Sequence, residues 1–150
     1  MRRLLAAIDT TPDAKPVIEV AGQLAQLAGA EVDVLYVMSD EEASAMLEKH
    51  MHVGEKHPFA WMQPEEKAAR EAEEASTSLN AMGVKHTAYG MTGDEAQAIL
   101  HFSKEHNVDM IVIGFHGLHG LQKIRALGSV SRAVMEDADC PVVVVPTFKD

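Results

Sequence analysis

Short apolar runs alternate along this chain with longer stretches of helical periodicity. Arg3–Ile8 (RLLAAI) is an apolar run halted by Asp9. Thr10-Thr11-Pro12-Asp13 reads as a turn feeding a helix. That helix runs from Ala14 to Leu27, with Val17, Ala21, Leu24 and Ala28 recurring on one face, and Gly29 closes it as a left-handed terminator. From Glu31 to Val37 (EVDVLYV) the β-branched residues predict a second strand. Ser39 to Lys49 predicts a short helix behind a Ser or Asp cap. His50 to Pro64, punctuated by Gly54, Pro58 and Pro64, reads as a loop. A long, charged, Ala-rich helix follows from Glu65 to Met82 and stops at Gly83. Val84 to Tyr89 is the third strand. Gly93-Asp94 caps a helix from Glu95 to His106, and Met110 to Ile113 (MIVI) is a buried strand entering a glycine-rich loop. Ser129 to Asp137 is the last helix, and Val142 to Val145, between two prolines, the last strand.

Five strands interleaved with helices predict an α/β fold: an open five-stranded parallel sheet, Rossmann-like, with helices on both faces. No repeat or domain-scale linker interrupts the pattern, so residues 1–150 read as a single domain. Ligands of such sheets bind beyond the carboxyl ends of the strands, where strand order reverses. The segments leaving those ends are Asp9-Thr10-Thr11, Val37-Met38-Ser39 and the stretch from Gly114 to Ser129.

Composition narrows the partners. Hydrophobic residues make up 47% and charged residues 24%, which excludes a disordered or collagen-like chain. No apolar run approaches the ~20 residues of a membrane helix. Arg2, Arg3 and the short run behind them imitate a signal peptide, but the run is too short for one. Thirteen Lys+Arg against 23 Asp+Glu give a net charge of −10, which repels phosphate backbones and argues against nucleic acid. A small anion could still be held by backbone amides. The single Cys140 excludes an internal disulfide and suits a reducing cytoplasm.

The candidate chemistry lies in Gly114-Phe-His-Gly117-Leu-His-Gly120 and the Gly128-Ser129 that opens the next helix. Glycines let backbone approach an anion closely, and the first amides of a helix lack intrahelical partners. The Ser129 hydroxyl could cap that helix or donate to a phosphate oxygen. A turn alone would also explain Gly114 and Gly117, and Asp9 at a strand end could simply cap the turn beside Thr11.

In combination these segments resemble the universal stress protein family over nearly the whole chain. Leu4–Asp9 (LLAAID) resembles its first strand and aspartate. Gly93 to Ile99 (GDEAQAI) resembles its GDPAEAI helix start, Asp109 to Gly114 (DMIVIG) its DLIVMG strand, and Cys140 to Val145 (CPVVVV) its CPVLVV finish. The nucleotide-binding branch carries G-x2-G-x9-G-(S/T). Here Gly114, Gly117 and Gly128-Ser129 match, with ten residues from Leu118 to Leu127 in place of nine, and Thr10-Thr11 stands where Gly-Ser is usual. The resemblance implies a cytoplasmic stress-response module that binds ATP or another adenine nucleotide, with Mg2+ accompanying the phosphates. It implies Asp9 and the Val37 backbone at adenine and ribose, Gly114 and Gly117 along ribose and phosphates, and Gly128, Ser129 and Val130 on the phosphates. It further implies a homodimer paired through Val142–Val145, and an unidentified regulatory protein partner. Two other readings stay open: an enzyme with slow ATP hydrolysis or nucleotidyl chemistry in the same pocket, and a nucleotide-free dimeric interaction protein.

The remaining chemistry-bearing residues carry blander expectations. His116 and His119, and His50, His52 and His57, lack the convergent set a metal requires. Phe59, Trp61 and Met62 read as a core edge or a cover over the nucleotide. No nucleophile–base motif appears, and Cys140 reads as a small buried hydrophobe.

Overall fold

The computed structural model describes residues 1–9, 14–53, 62–115 and 127–146. Its elements in chain order are β1 (Arg3–Ile8), α1 (Ala14–Ala28), β2 (Glu31–Met38), α2 (Asp40–Val53), α3 (Pro64–Ala75), α4 (Thr77–Ala81), β3 (His86–Thr92), α5 (Glu95–Glu105), β4 (Met110–Phe115), α6 (Ser129–Asp137) and β5 (Val142–Pro146). The five strands form one sheet in the order β3-β2-β1-β4-β5, and every pair is parallel.

Side chains alternate across the sheet with period two, and each face has its own core. Leu4, Ala6, Val32, Val34 and Tyr36 pack against Val17, Ile18 and Ala21 of α1, Ala68 and Ala72 of α3, and Leu79 of α4. On the other face Leu5, Ala7, Leu35, Ile111 and Ile113 meet Ala98, Ile99 and Phe102 of α5 and Val134 of α6. Burial on both faces is why the strands read as continuous apolar runs.

Three helices end in the same way before a strand begins. Gly29, Gly83 and Asn107 adopt φ of 66°, 68° and 52°. The following amides of Ala30, Val84 and Val108 reach back to the carbonyls of Ala25, Leu79 and Ser103 at 2.9, 3.0 and 3.0 Å. This left-handed closure satisfies orphan carbonyls and reverses the chain within a residue or two.

Several boundaries differ from the sequence expectation. The helix expected to end at Lys49 continues to Val53. The stretch from Glu65 to Met82 is two helices, broken at Ser76. There Ser76 Oγ donates to the Glu73 carbonyl at 2.8 Å and Thr77 Oγ1 to the Glu74 carbonyl at 3.0 Å. Such back-bonding competes with the helical ladder. The third strand starts two residues later than expected, because Val84 is used in closing α4, and it runs on to Thr92. The fourth strand extends to Phe115, which puts Gly114 inside the ladder opposite Val145.

At the amino end of the sheet charged side chains are paired with opposite charges or backbone amides. Arg3 Nη1 donates to both carboxylate oxygens of Asp33 at 3.0 Å, on the α5–α6 face, where Asp33 is 1% exposed. The hydrogen bond and attraction of Asp33 raise the guanidinium pKa further above its ordinary value. Asp109 Oδ2 accepts the backbone N–H groups of Arg2 and Arg3 at 2.7 and 3.0 Å. Those two bonds hold its pKa below the ordinary aspartate value.

Gly90 lets α3 lie directly on the edge strand β3. A Cβ there would stand 2.2 Å from the Ala69 nitrogen and 2.4 Å from the Glu65 oxygen, both backbone atoms. At Gly22 in α1 the nearest obstacle is the end of the Met82 side chain at 2.7 Å, which can move. Gly90→Ala should therefore cost about 3 kcal/mol or more in urea unfolding, the upper range of overpacking. Gly22→Ala should stay within ~1 kcal/mol of wild type, because helix propensity offsets the clash.

Asp109 sets an acid-limb prediction. A carboxyl whose folded pKa lies below its unfolded value of about 3.9 stabilises the fold fully above that value, and the contribution is lost as pH falls through the folded value. Urea midpoints of wild type and Asp109→Asn should differ at neutral pH and converge as the pH is lowered below about 4. A constant difference from pH 7 to pH 2 would contradict this.

Candidate functional site

Strand order reverses at β1, whose neighbours β2 and β4 are reached by helices on opposite faces of the sheet. Ligands of open parallel sheets sit at such a reversal, outside the carboxyl ends. Asp9 directly follows β1, and Gly114 and Phe115 end β4.

β2 extends beyond β1 at this edge. Ile8, the last residue of β1, is paired with Tyr36, while Val37 and Met38 continue alongside Met91 and Thr92 of β3. The N–H of Val32 and the carbonyl of Met38 bond toward β3, at 3.0 Å to Lys85 and 3.0 Å from Gly93. Alternation along a parallel ladder then turns the amide groups of Val37 toward β1 and the reversal. The Val37 side chain is buried in the α5–α6 core.

Three of the predicted residues line two cavities on this edge, and Val37, Gly114 and Gly128 line neither. The larger, about 540 Å³, is lined by the starts of three helices: Ser39 to Glu41 before and in α2, Gly93 to Gln97 at α5, and Ser129, Val130 and Ala133 of α6. Asp9 lines the second, about 460 Å³, with Ile8 and Tyr36 on the sheet, Ala14 of α1, and Glu71, Glu74 and Ala75 of α3. Ser129 and Val130 are thus brought together, and Asp9 lies in a separate hollow. Gly117, His116 and His119 lie outside the described residues. So do Phe59, Trp61 and His57, and the side chains of His50 and His52.

The helix starts around the larger cavity differ electrically. At α2 the Ser39 hydroxyl accepts the Glu42 N–H at 3.1 Å, and Asp40, Glu41 and Glu42 occupy the first turn. At α5 Asp94 accepts the Gln97 N–H at 2.9 Å, as its capping signature predicts. At α6 the N-cap position is Gly128, without a side-chain cap, and no acidic residue stands in the first turn. Ser129 is therefore not the cap expected from the sequence but the first helical residue, and it is exposed. Carboxylates of Asp40, Glu41, Asp94, Glu95 and Asp137 border the same cavity. Among the described residues, no group of three or more His, Cys, Asp or Glu gathers as a metal-binding set.

Two residues at this edge escaped sequence reasoning. Gly93 adopts φ 126°, a backbone conformation that favours glycine, and donates its N–H to Met38. The sequence reads it only as part of the Gly93-Asp94 helix start. Ser131 is fully buried and donates its hydroxyl to the Gly114 carbonyl at 2.7 Å. The sequence signal was a serine on the apolar side of a short helix, at a position where alanine would pack. Cys140 is half-buried, with its Sγ 3.8 Å from Ser103 Oγ.

Comparison with known proteins follows the same architecture. The model of the universal stress protein family matches residues 1–146. Universal stress protein YxiE of Bacillus subtilis is 30% identical over 146 residues, covering 95% of this chain and 97% of its own. Universal stress protein A homolog 1 of Coxiella burnetii is 28% identical over 146 residues, covering 96% and 95%. Among solved structures, the protein MJ0577 superposes with a TM-score of 0.75 at 24% identity, covering 99% and 98% of the two chains. A universal stress protein in complex with cAMP gives 0.64 at 19% identity, covering 98% of each chain. One from Archaeoglobus fulgidus in complex with dAMP gives 0.60 at 19%, covering 97% of each.

Proposed function

Because this chain belongs to the universal stress protein family, we propose that it is a single-domain, cytoplasmic regulatory module of the stress response that binds an adenine nucleotide. The observation that carries this reading is the reversal of strand order at β1, with Asp9 and Gly114 at the strand ends beside it. The nucleotide complexes of two fold neighbours, with cAMP and with dAMP, support it. In this reading Asp9 accepts a hydrogen bond from adenine or ribose, and the Val37 backbone reads the adenine edge. Gly114 and Gly117 follow the ribose and phosphates, and the amides at Gly128, Ser129 and Val130 hold the phosphates.

The chemistry of the edge favours a short phosphate tail. The open start of α6 offers amides, each charged contact contributing about 0.3–1 kcal/mol, to ~2 when partly buried. The bordering carboxylates oppose additional negative charge. Mg2+ bound with the phosphates would offset their charge beside these carboxylates. AMP should therefore bind measurably, and ATP should gain no more than about 1–2 kcal/mol over it, the scale of one or two helix-end contacts. Added magnesium should strengthen ATP binding more than AMP binding. Calorimetric titration of AMP, ADP and ATP with and without magnesium checks this. A thousandfold preference for ATP would overturn the short-tail reading, and no binding of any of the three would overturn the nucleotide reading.

The same proposal includes a homodimer through β5, an edge strand whose Val142, Val143 and Val144 are half-buried. The Ile111 N–H bonds to the Pro141 carbonyl, so alternation turns the amide groups of Val142 and Val144 outward, where a second copy could pair. Val143 packs on the α1-side core, so a charge there would damage the fold itself. Val144→Pro removes an outward donor and leaves the β4–β5 ladder bonds in place. It should sediment as a folded monomer, and a soluble dimer of this variant would contradict pairing through β5.

A further inference from the structure

We propose that Ser131 is a positioning residue for the phosphate end of the site, acting through the Gly114 carbonyl; this rests on the nucleotide reading above. Gly114 lies at the end of β4 and Ser131 in the first turn of α6, so their hydrogen bond joins the two ends of the intervening segment. That segment holds Gly117 and the additional residue of the glycine pattern. Whatever path it takes, its two anchor points are held together by one short, directional contact.

The contact also fixes the helix it belongs to. The Arg132 N–H closes on the Gly128 carbonyl at 2.9 Å, so the first turn moves as a unit. Val130 and Val134 pack α6 against the core and fix which face it buries, leaving its fine orientation to directional contacts. The Ser131 hydroxyl adds the missing direction: holding it on Gly114 sets where the amides of Ser129 and Val130 point at the cavity edge. A buried hydroxyl must be desolvated, and serine is a poorer helix former than alanine, so the bond adds little net stability. Serine at this buried position is better accounted for by geometry.

The test is titration of adenosine and AMP against wild type, Ser131→Ala and Ser131→Thr, with thermal melting of each. Ser131→Ala should lose about tenfold in AMP affinity, the scale of one hydrogen bond made or lost. Its adenosine affinity should stay within about twofold, and its melting should fall by only a few degrees, the cost of the Gly114 carbonyl losing this donor. Ser131→Thr, which keeps the hydroxyl, should recover AMP binding. An unchanged ratio of AMP to adenosine affinity in Ser131→Ala would overturn the proposal and leave the nucleotide reading intact. Equal losses for both ligands would also overturn it, as would a well-folded Ser131→Thr that binds AMP no better than Ser131→Ala. Failure of wild type to bind either ligand would overturn both readings.

Discussion

A parallel sheet buried on both faces imposes the constraint from which most of this structure follows. Each strand must run the same way as its neighbour, so the chain has to return outside the sheet, here through helices. All strands then finish at one edge. With β1 in the centre and the chain winding outward on both sides of it, a crevice opens beside its carboxyl end. Asp9, the Val37 amides and the start of α6 lie at that edge because of topology, whichever loops connect them.

The two edges of the sheet do different work. At the amino edge, Arg3 grips the buried carboxylate of Asp33, Asp109 collects two backbone amides, and Lys85 pairs with Glu31 at 3.2 Å. Left-handed turns at Gly29, Gly83 and Asn107 bring the chain back with few residues to spare. The amino edge has a cavity of about 480 Å³ between Gly29, Glu31, Gly83 and Lys85, and the carboxyl edge carries two and the open start of α6. Breaking the Arg3–Asp33 pair would leave a charge stranded in the core, the costly case for buried ions. The proposed nucleotide site lies at the opposite, carboxyl edge.

The alternation of strand and helix was legible in the sequence because it rests on local signals: β-branched runs for β2 and β4, Gly93-Asp94 before α5, and Gly29 and Gly83 after helices. What escaped was decided by side-chain bonds and close approaches that no hydrophobic periodicity announces. Nothing in the Ala-rich stretch from Glu65 to Met82 announces a break, since Ser76 and Thr77 are tolerated in helices until their hydroxyls turn back on the preceding turn. Gly90 is a lone glycine in a strand, a recognised sign of close backbone approach, but which backbone it meets is known only when α3 is placed on it. For the candidate site, the sequence places Asp9 and Gly114 at strand ends and Ser129 at a helix start, which is where they lie. That Gly114 belongs to the ladder and is gripped by Ser131 could not be read there, because that bond spans a segment whose path no periodicity describes.

The tight returns at Gly29, Gly83 and Asn107 also govern where such a chain can change length over its history. An extra residue in one of them would push the following strand one step along the ladder and turn its entire apolar set toward the opposite face. The same insertion between β4 and α6 shifts no register, because Gly114 and Ser131 hold the ends of the segment whatever its length. Insertions and deletions are thereby steered to the carboxyl edge, where the proposed site lies. A lineage built on this sheet can vary the segment beside that site without rebuilding what keeps it folded.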